Sequence, residues 1–284
     1  MSGVGRYGTL LDAIHGVRWP ARKTVPAGSA GTHTSRQLGL AAEFTAYRPY
    51  RQGDDPRHLD WKLLARTDRA YQRISVERAT LRTILVVDAS ASMDFPDTAP
   101  TKWTRACEVA VGLAAIAQSA GDPVGLLVAG AETGFRPRTR RGIVGQIAAI
   151  LDGIRPDGDA ELERVLRHLE GRGRVALLSD CLDEGNADII AAGRTLAAAG
   201  TEVTVVHIVA AEELEPGTLP FDAVDPEATR VRRPLSEAGL PAYRRAFAAW
   251  RDDLARAWRE AGAAYTLVRT DEPADRAIRR VVEA

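Results

Sequence analysis

Three oxygen-bearing side chains follow an apolar run in the stretch LVVDASASM, which covers residues 85–93. Asp88, Ser90 and Ser92 alternate with small residues, so a single loop offers one carboxylate and two hydroxyls. Hard oxygen ligands of this kind suit Mg²⁺, Mn²⁺ or Ca²⁺ and suit zinc poorly. Aspartate and serine after a strand also form turns and cap helices, so the spacing alone leaves a purely structural role open.

The elements that must position these residues alternate regularly from residue 84 onward. Short apolar runs rich in β-branched residues, typical of buried strands, are separated by stretches with helical spacing. This order predicts an α/β fold with a doubly wound, mostly parallel sheet and right-handed crossovers. The polar stretch GFRPRTR (134–140) is predicted to be a hairpin partner at one edge of the sheet.

A second aspartate ends another apolar run, RVALLSD (174–180). In doubly wound sheets, ligands bind at the carboxyl ends of the strands, near the point where the strand order reverses. We therefore expect Asp180 to lie beside Asp88, Ser90 and Ser92. Together these residues are predicted to hold a divalent cation, Mg²⁺ or else Mn²⁺ or Ca²⁺, with one position left for an acidic group of a partner protein.

The bulk composition is that of an ordinary globular protein. The chain has 284 residues, of which 45% are hydrophobic and 27% charged, and its formal net charge is zero. Its two cysteines, Cys107 and Cys181, lack zinc-site spacing and suit a reducing compartment. There is no apolar run long enough to span a bilayer and no pattern of a secretory signal. We expect a soluble, cytoplasmic protein.

Residues 1–82 differ from the rest and are predicted to form a smaller β-containing segment, with residues 83–284 as the α/β domain. Up to residue 83 the chain carries 14 Lys and Arg against 7 Asp and Glu, and the remainder carries the opposite excess. The asymmetry could mark an anionic partner, but mutual neutralisation of the two parts is the commoner case.

Enzymatic interpretations find little support in the residues. Ser90 replaces the second carboxylate of an Asp-x-Asp phosphatase pattern, and no Gly-x-Ser-x-Gly elbow or phosphate-binding loop occurs. His207 lies inside an apolar run, where a histidine is usually a satisfied core residue. We expect a non-enzymatic protein, with a metal-dependent hydrolase or phosphatase as the less favoured alternative.

The stretch YRPYRQGDDPRHLDWKLLAR (47–66), placed directly before the strand that ends in Asp88, closely resembles the signature of the domain-of-unknown-function 58 family. The matching positions are Arg48, Tyr50, Gly53, Asp54, Asp55, Arg57, Asp60, Trp61, Ala65 and Arg66.

This resemblance, which covers roughly residues 35–210, implies a von Willebrand factor A-like fold. It further implies that Asp88, Ser90 and Ser92 form a metal-ion-dependent adhesion site. It also implies a protein-interaction module that partners a MoxR-type AAA+ ATPase and its client in chaperone-like assembly or maturation of other proteins.

One position departs from the adhesion-site pattern that the resemblance implies. Ala160 stands where such domains usually supply a threonine, and a methyl group cannot coordinate a metal. Asp157 or Asp159 could compensate with a carboxylate, or the protein could be a metal-free scaffold of the same fold.

The family signature also mixes cations with aromatic rings. Arginines and lysines interleaved with aromatics can bind single-stranded nucleic acid, but the aspartates among them repel phosphates and favour internal pairing with arginine. We therefore expect a structural clamp and no nucleic-acid partner, with Trp61 as a packing anchor between the segment and the α/β domain. The interleaved residues are Arg48, Arg51, Arg57, Lys62, Arg66 and Arg69, and Tyr47, Tyr50, Trp61 and Tyr71.

Overall fold

The computed structural model describes most of the chain, in the ranges 5–22, 30–34, 43–51, 54, 56–76, 78–98, 100–131, 133–183, 185–216, 221–224, 232–235 and 238–284. The chain divides into two compact units, of which one comprises residues 21–81. The other comprises residues 82–284 together with the chain up to Pro20, including helix α1 (Gly8–Ala13). The predicted domain boundary at residue 82 stays a prediction.

The unit of residues 21–81 contains short antiparallel strand pairs. Its elements in chain order are β1 (Ala30–Thr34), β2 (Glu43–Pro49), α2 (Trp61–Thr67), β3 (Tyr71–Val76) and β4 (Arg78–Ala79). Strand β1 pairs with β4, and β2 pairs with β3. The predicted β-containing segment is thus present as a small antiparallel N-terminal sheet.

Internal pairing of the aspartates in the family signature is visible in this unit. The carboxylate of Asp54 accepts a hydrogen bond from Arg48 at 2.8 Å, and Arg48 also donates to Gln72 at 2.6 Å. Asp60 caps helix α2, because one of its oxygens accepts from the backbone N–H groups of Lys62 and Leu63. These contacts support the predicted clamp within the unit.

The expectation that Trp61 is a packing anchor between the segment and the α/β domain stays a prediction. Its side chain is 63% exposed. Trp61 is the first residue of a seven-residue helix, and side chains there point back beyond the helix start, away from the turns that pack.

The second unit is built on the predicted alternation of strands and helices. Its strands are β5 (Thr83–Asp88), β6 (Val124–Ala129), β7 (Thr133–Arg138), β8 (Arg174–Ser179), β9 (Glu202–Val209), β10 (Phe221–Val224), β11 (Arg232–Leu235) and β12 (Ala264–Arg269). Its helices beyond α1 are α3 (Lys102–Ser119), α4 (Ile143–Asp152), α5 (Leu162–Arg167), α6 (Asn186–Ala198), α7 (Ala211–Leu214), α8 (Leu240–Glu260) and α9 (Ala274–Glu283).

Six of these strands form one sheet in the order β12-β9-β8-β5-β6-β7. All neighbours are parallel except β7, which pairs antiparallel with β6 at the edge, as the polar stretch predicted. The chain enters this sheet at β5 and adds β6 and β7 on one side of it. It then returns to the other side of β5 with β8. The predicted α/β fold with a mostly parallel sheet is therefore confirmed.

Helices cover both faces of this sheet. Helices α1, α3, α4 and α9 pack on one face, and α5, α6 and α8 pack on the other, each with its own buried apolar cluster. Every residue of β8 and β9 is buried, which is why these strands are apolar along most of their length. Both cysteines are buried. Within the described ranges, every helix is too short or too polar to cross a bilayer.

A buried ion pair lies at the amino ends of β8 and β9. The Arg174 guanidinium donates to Glu202 at 3.1 and 3.2 Å, and it also donates to the backbone carbonyls of Trp19 and Pro20. The Trp19 ring covers the guanidinium at 4.0 Å. This pair ties the N-terminal residues of the unit to the sheet.

Candidate functional site at the carboxyl edge of the sheet

Asp88 and Asp180 lie at the same edge of the sheet. Asp88 is the last residue of β5, and Asp180 directly follows β8, the strand that pairs with β5 on the side to which the chain returns. Strand order reverses between these two strands, which is where doubly wound sheets bind their ligands. The structure thus brings the four predicted site residues to one edge.

The carboxylate of Asp88 is buried and accepts a hydrogen bond on each oxygen. Oδ1 accepts from the backbone N–H of Ser90 at 2.9 Å, and Oδ2 accepts from the hydroxyl of Ser179 at 2.5 Å. The Ser90 and Ser92 hydroxyl oxygens lie 3.1 Å apart, and neither residue is exposed. Asp88 therefore stabilises the turn after β5, and the two serines present their hydroxyls to each other.

Asp180 pairs with a lysine that the sequence analysis did not select. The Lys102 ammonium, on the first turn of α3, donates to Asp180 Oδ2 at 2.5 Å and to Glu213 Oε1 at 2.8 Å. The Lys102 side chain is only 1% exposed. Glu213 lies in α7, directly after β9, so three adjacent strand ends contribute to this cluster.

Burial and charge act against each other in the cluster. Burial, together with the nearby charge of Asp180, raises the pKa of Asp88 to about 6, although hydrogen bonds from Ser179 and Ser90 oppose the rise. Burial also raises the pKa of Glu213 against the influence of Lys102. For Lys102 burial disfavours the charge, but Asp180 and Glu213 outweigh it, so its pKa lies above the usual value. The ammonium is therefore charged, and the cluster holds more carboxylates than cations.

Comparison with known proteins identifies the family. The profile of a family described as "Protein of unknown function DUF58" matches residues 46–253, which includes the signature segment and most of the sheet. The chain is a member of the DUF58 family.

Relatives of this DUF58 protein occur in mycobacteria. Uncharacterized protein Rv1480 of Mycobacterium tuberculosis and uncharacterized protein Mb1516 of Mycobacterium bovis are each 30% identical to it over 273 residues, which is 92% of this chain and 85% of each relative.

Solved structures similar to this DUF58 protein include von Willebrand factor A-type domains. The conserved hypothetical protein BatB of Bacteroides thetaiotaomicron matches with a TM-score of 0.46 and 19% identity, covering 72% of this chain and 97% of its own. The VWA domain of SpRpn10 matches with a TM-score of 0.41 and 12% identity, covering 70% and 94%.

The donor set of this DUF58 protein lacks one ligand of the adhesion-site pattern that the family resemblance implies. Ala160, at the position of the missing threonine, is buried, and its loop lies beside the Asp88 loop through the bonds from Ala91 N–H to the Gly158 carbonyl and from Asp157 N–H to the Ala89 carbonyl.

The remaining acidic side chains of this edge are also engaged. Asp157 and Asp159 are exposed and accept hydrogen bonds from their own loop, which leaves the threonine without a replacement. Both oxygens of Asp180 are in use, since Oδ1 accepts from the Leu182 N–H and Oδ2 from Lys102. In the described ranges, no group of three His, Cys, Asp or Glu residues is placed to hold a metal.

Exposed apolar side chains flank the cluster. Phe95 and Leu182 are each 40% exposed, although large hydrophobic side chains are usually buried. The Phe95 ring lies 5.6 Å from the Lys102 ammonium, and the Leu182 N–H binds Asp180, so both residues adjoin the same ion pair. Exposed aspartates lie in the Phe95 loop and in the neighbouring loop between α4 and α5: Asp94, Asp97, Asp157 and Asp159.

Two residues of the cluster were missed because the sequence gives them ordinary surroundings. Lys102 opens an amphipathic helix, where a lysine is normally solvated. Glu213 begins a segment rich in Glu and Pro, but it follows the apolar run of β9 just as Asp180 follows β8. Searching for acidic residues after every apolar run would have found Glu213. The prediction that His207 is a satisfied core residue is confirmed, because it is buried and hydrogen-bonds to the Tyr265 hydroxyl.

Proposed function

We propose that this DUF58 protein is a non-enzymatic interaction module that docks a partner protein on the carboxyl edge of its sheet. The observation that carries the proposal is the pairing of exposed Phe95 and Leu182 with the buried Lys102–Asp180 ion pair. In the described ranges, the polar groups of the edge bind one another: Asp88 binds Ser179, and Lys102 binds two carboxylates. Such an arrangement is suited to shape and charge recognition and offers no base or nucleophile poised for chemistry.

The chemistry of the edge indicates the kind of partner. Exposed apolar side chains among aspartates match a surface that presents an apolar side chain ringed by Lys or Arg. The family resemblance suggests that the partner is an AAA+ ATPase of MoxR type, which acts with this protein in assembly or maturation of a client. A reducing compartment such as the cytoplasm, which the two free buried thiols suit, is part of the same proposal.

A divalent-cation-dependent adhesion site is the second candidate. The separation of 3.1 Å between the Ser90 and Ser92 hydroxyl oxygens favours it, because neighbouring ligands of an octahedral Mg²⁺ lie about 3 Å apart. Ser90 and Ser92 would then hold Mg²⁺, Mn²⁺ or Ca²⁺ with the help of Asp88 and Asp180. The ion would supply a Lewis-acidic position for a partner carboxylate.

Direct binding to the MoxR-type ATPase of the same cell tests the proposal. We expect Phe95→Ser combined with Leu182→Ser to weaken binding at least about tenfold, because central apolar contacts carry most of the energy of an interface. Trp61→Ser is the control, since it removes another exposed aromatic side chain, one that belongs to the other unit. Unchanged binding of the double variant would contradict docking at this edge.

Chelation separates the two candidates. In the metal-free case, binding is the same in EDTA and in Mg²⁺, and Ser90→Ala with Ser92→Ala leaves the response to EDTA unchanged. If EDTA abolishes binding and the two alanines mimic EDTA, the cation-dependent site is correct. Both measurements use isothermal titration calorimetry on the full chain.

A further inference from the structure

We propose that the Lys102 ammonium is the resident cation of the carboxyl edge and does the work that the family resemblance assigns to a divalent ion. The inference concerns the site of the proposed function and explains how that site is organised without a metal. It does not need the partner, so either proposal can fail without the other.

The position of Lys102 allows it to join several parts of the edge. Helix α3 follows the loop that carries Asp88, and the backbone N–H of Lys102 donates to the Phe95 carbonyl at 2.8 Å. From there its ammonium reaches Asp180 after β8 and Glu213 after β9. One side chain therefore connects the loops of three adjacent strands, which is what a bound cation does when loops supply its ligands.

Charge explains why the side chain must be cationic. Asp88, Asp180 and Glu213 are buried or nearly so, and buried carboxylates require a compensating charge. Lys102 is the cation that contacts two of them, and its almost complete burial excludes water from the contact. The Glu213 carboxylate is itself positioned, since its second oxygen accepts from the backbone N–H of Ala210 at 2.7 Å.

The proposal also fixes what the edge offers to a partner. A divalent ion at the surface would attract a carboxylate, as in the cation-dependent candidate. A buried ammonium cannot be reached by a partner, and the exposed aspartates of the Asp88 loop, Asp94 and Asp97, favour positive charge instead. The resident lysine thus predicts the opposite polarity of partner from the one that a metal site predicts.

The test replaces the ammonium and offers a metal. Lys102→Met keeps most of the length of the side chain and removes its charge, which leaves Asp180 and Glu213 without the ammonium between them. We expect the wild type to bind no Mn²⁺ at millimolar concentration by electron paramagnetic resonance and to keep its Tm between EDTA and Mn²⁺. We expect Lys102→Met to bind about one Mn²⁺ per chain and to regain about 5 °C of Tm in Mn²⁺, because an ion that binds only the folded state stabilises it.

Two controls make the result decisive. Lys102→Met combined with Asp180→Asn and Glu213→Gln removes the charges as well, and its Tm should not respond to Mn²⁺. Arg174→Met lowers stability at the other end of the same strands, and Mn²⁺ should not restore it. If Lys102→Met folds only when refolded with Mn²⁺, the proposal is supported.

Three results overturn the proposal. The first is saturable Mn²⁺ binding by the wild type that Ser90→Ala with Ser92→Ala removes. The second is a folded Lys102→Met variant that takes up no Mn²⁺. The third is a Lys102→Met variant that refolds neither with nor without the ion.

Discussion

Strands β8 and β9 have a buried ion cluster at each end, and the two clusters are built differently. At the amino ends, one guanidinium meets one carboxylate, Arg174 with Glu202, and the remaining donors of Arg174 bind backbone carbonyls. The Trp19 ring closes this cluster from solvent. At the carboxyl ends, Lys102 serves two carboxylates, and the ring that lies over it, Phe95, is exposed.

The difference favours different roles for the two clusters. An ion pair closed off under a buried ring offers no charge that a partner could reach. Surplus carboxylates under an exposed ring cost stability, because buried charge is only partly compensated. A protein retains such a cost where the charge is used, and functional sites commonly show it. The comparison therefore favours the carboxyl edge as the site of interaction.

Removal of the guanidinium at the amino end has the largest expected effect on stability. Arg174→Met removes the guanidinium that binds the buried Glu202 carboxylate and should lower the free energy of unfolding by about 4 kcal/mol. Urea denaturation of the full chain measures the loss. The matched control is Arg174→Met with Glu202→Met, which removes both charges and should recover more than half of it. A double variant as unstable as the single one would mean that the ion pair is not the reason for the loss.

What the sequence could predict about the carboxyl edge depended on local pattern. Asp88 and Asp180 each end an apolar run, so their positions followed from strand ends and from the topology that parallel strands require. Lys102 could not be predicted in the same way, because its role depends on Glu213, which lies 111 residues further along the chain. The exposure of Trp61 was likewise not indicated by the sequence, since it follows from the place of this residue at a helix start.

The ion pair at the amino ends of the strands was equally difficult to predict from the sequence. A lysine or arginine in sequence indicates solvent, and only the three-dimensional pairing of Arg174 with Glu202 shows otherwise. The mostly parallel sheet and the edge position of β7 could be anticipated, because the hydrophobic pattern shows where strands and helices alternate. Buried charges could not, because their stability depends on partners that are distant in the chain.

The pH dependence of stability should come from the carboxyl half of these strands. Burial lowers the pKa of His207 to about 4, with Asp180 raising it and Arg251 and Lys102 lowering it. The Tyr265 hydroxyl and the Trp250 ring also face it. Below the ordinary pKa of histidine, His207 takes up a proton in the unfolded chain but stays neutral in the folded chain. Its contribution to stability is therefore present at neutral pH and is lost as the pH falls.

Between pH 7 and pH 5 the contribution of His207 should amount to about 2 kcal/mol. Asp88 acts in the opposite direction in part of this window, because a raised pKa makes its ionised form destabilising as the pH rises. The measurement is therefore the difference between wild type and His207→Gln in urea denaturation at the two pH values. Parallel pH profiles of the two proteins would argue against a neutral, buried His207.

The two rings that cover the clusters provide the prediction with the smallest effect. Phe95→Ala should lower the free energy of unfolding by about 1 kcal/mol, because the ring is 40% exposed and therefore loses only part of the packing of a fully buried phenyl group. The reference is Trp19→Ala, which uncovers Arg174 and removes a buried ring, at a loss of about 3 kcal/mol or more. Urea denaturation of both variants compares them directly.

Comparable losses would show that Phe95 holds the carboxyl edge together as Trp19 holds the amino edge, and an exposed ring would then be no sign of docking. A small loss with Phe95→Ala leaves its exposure without a structural reason, which is the condition that an interaction surface must meet.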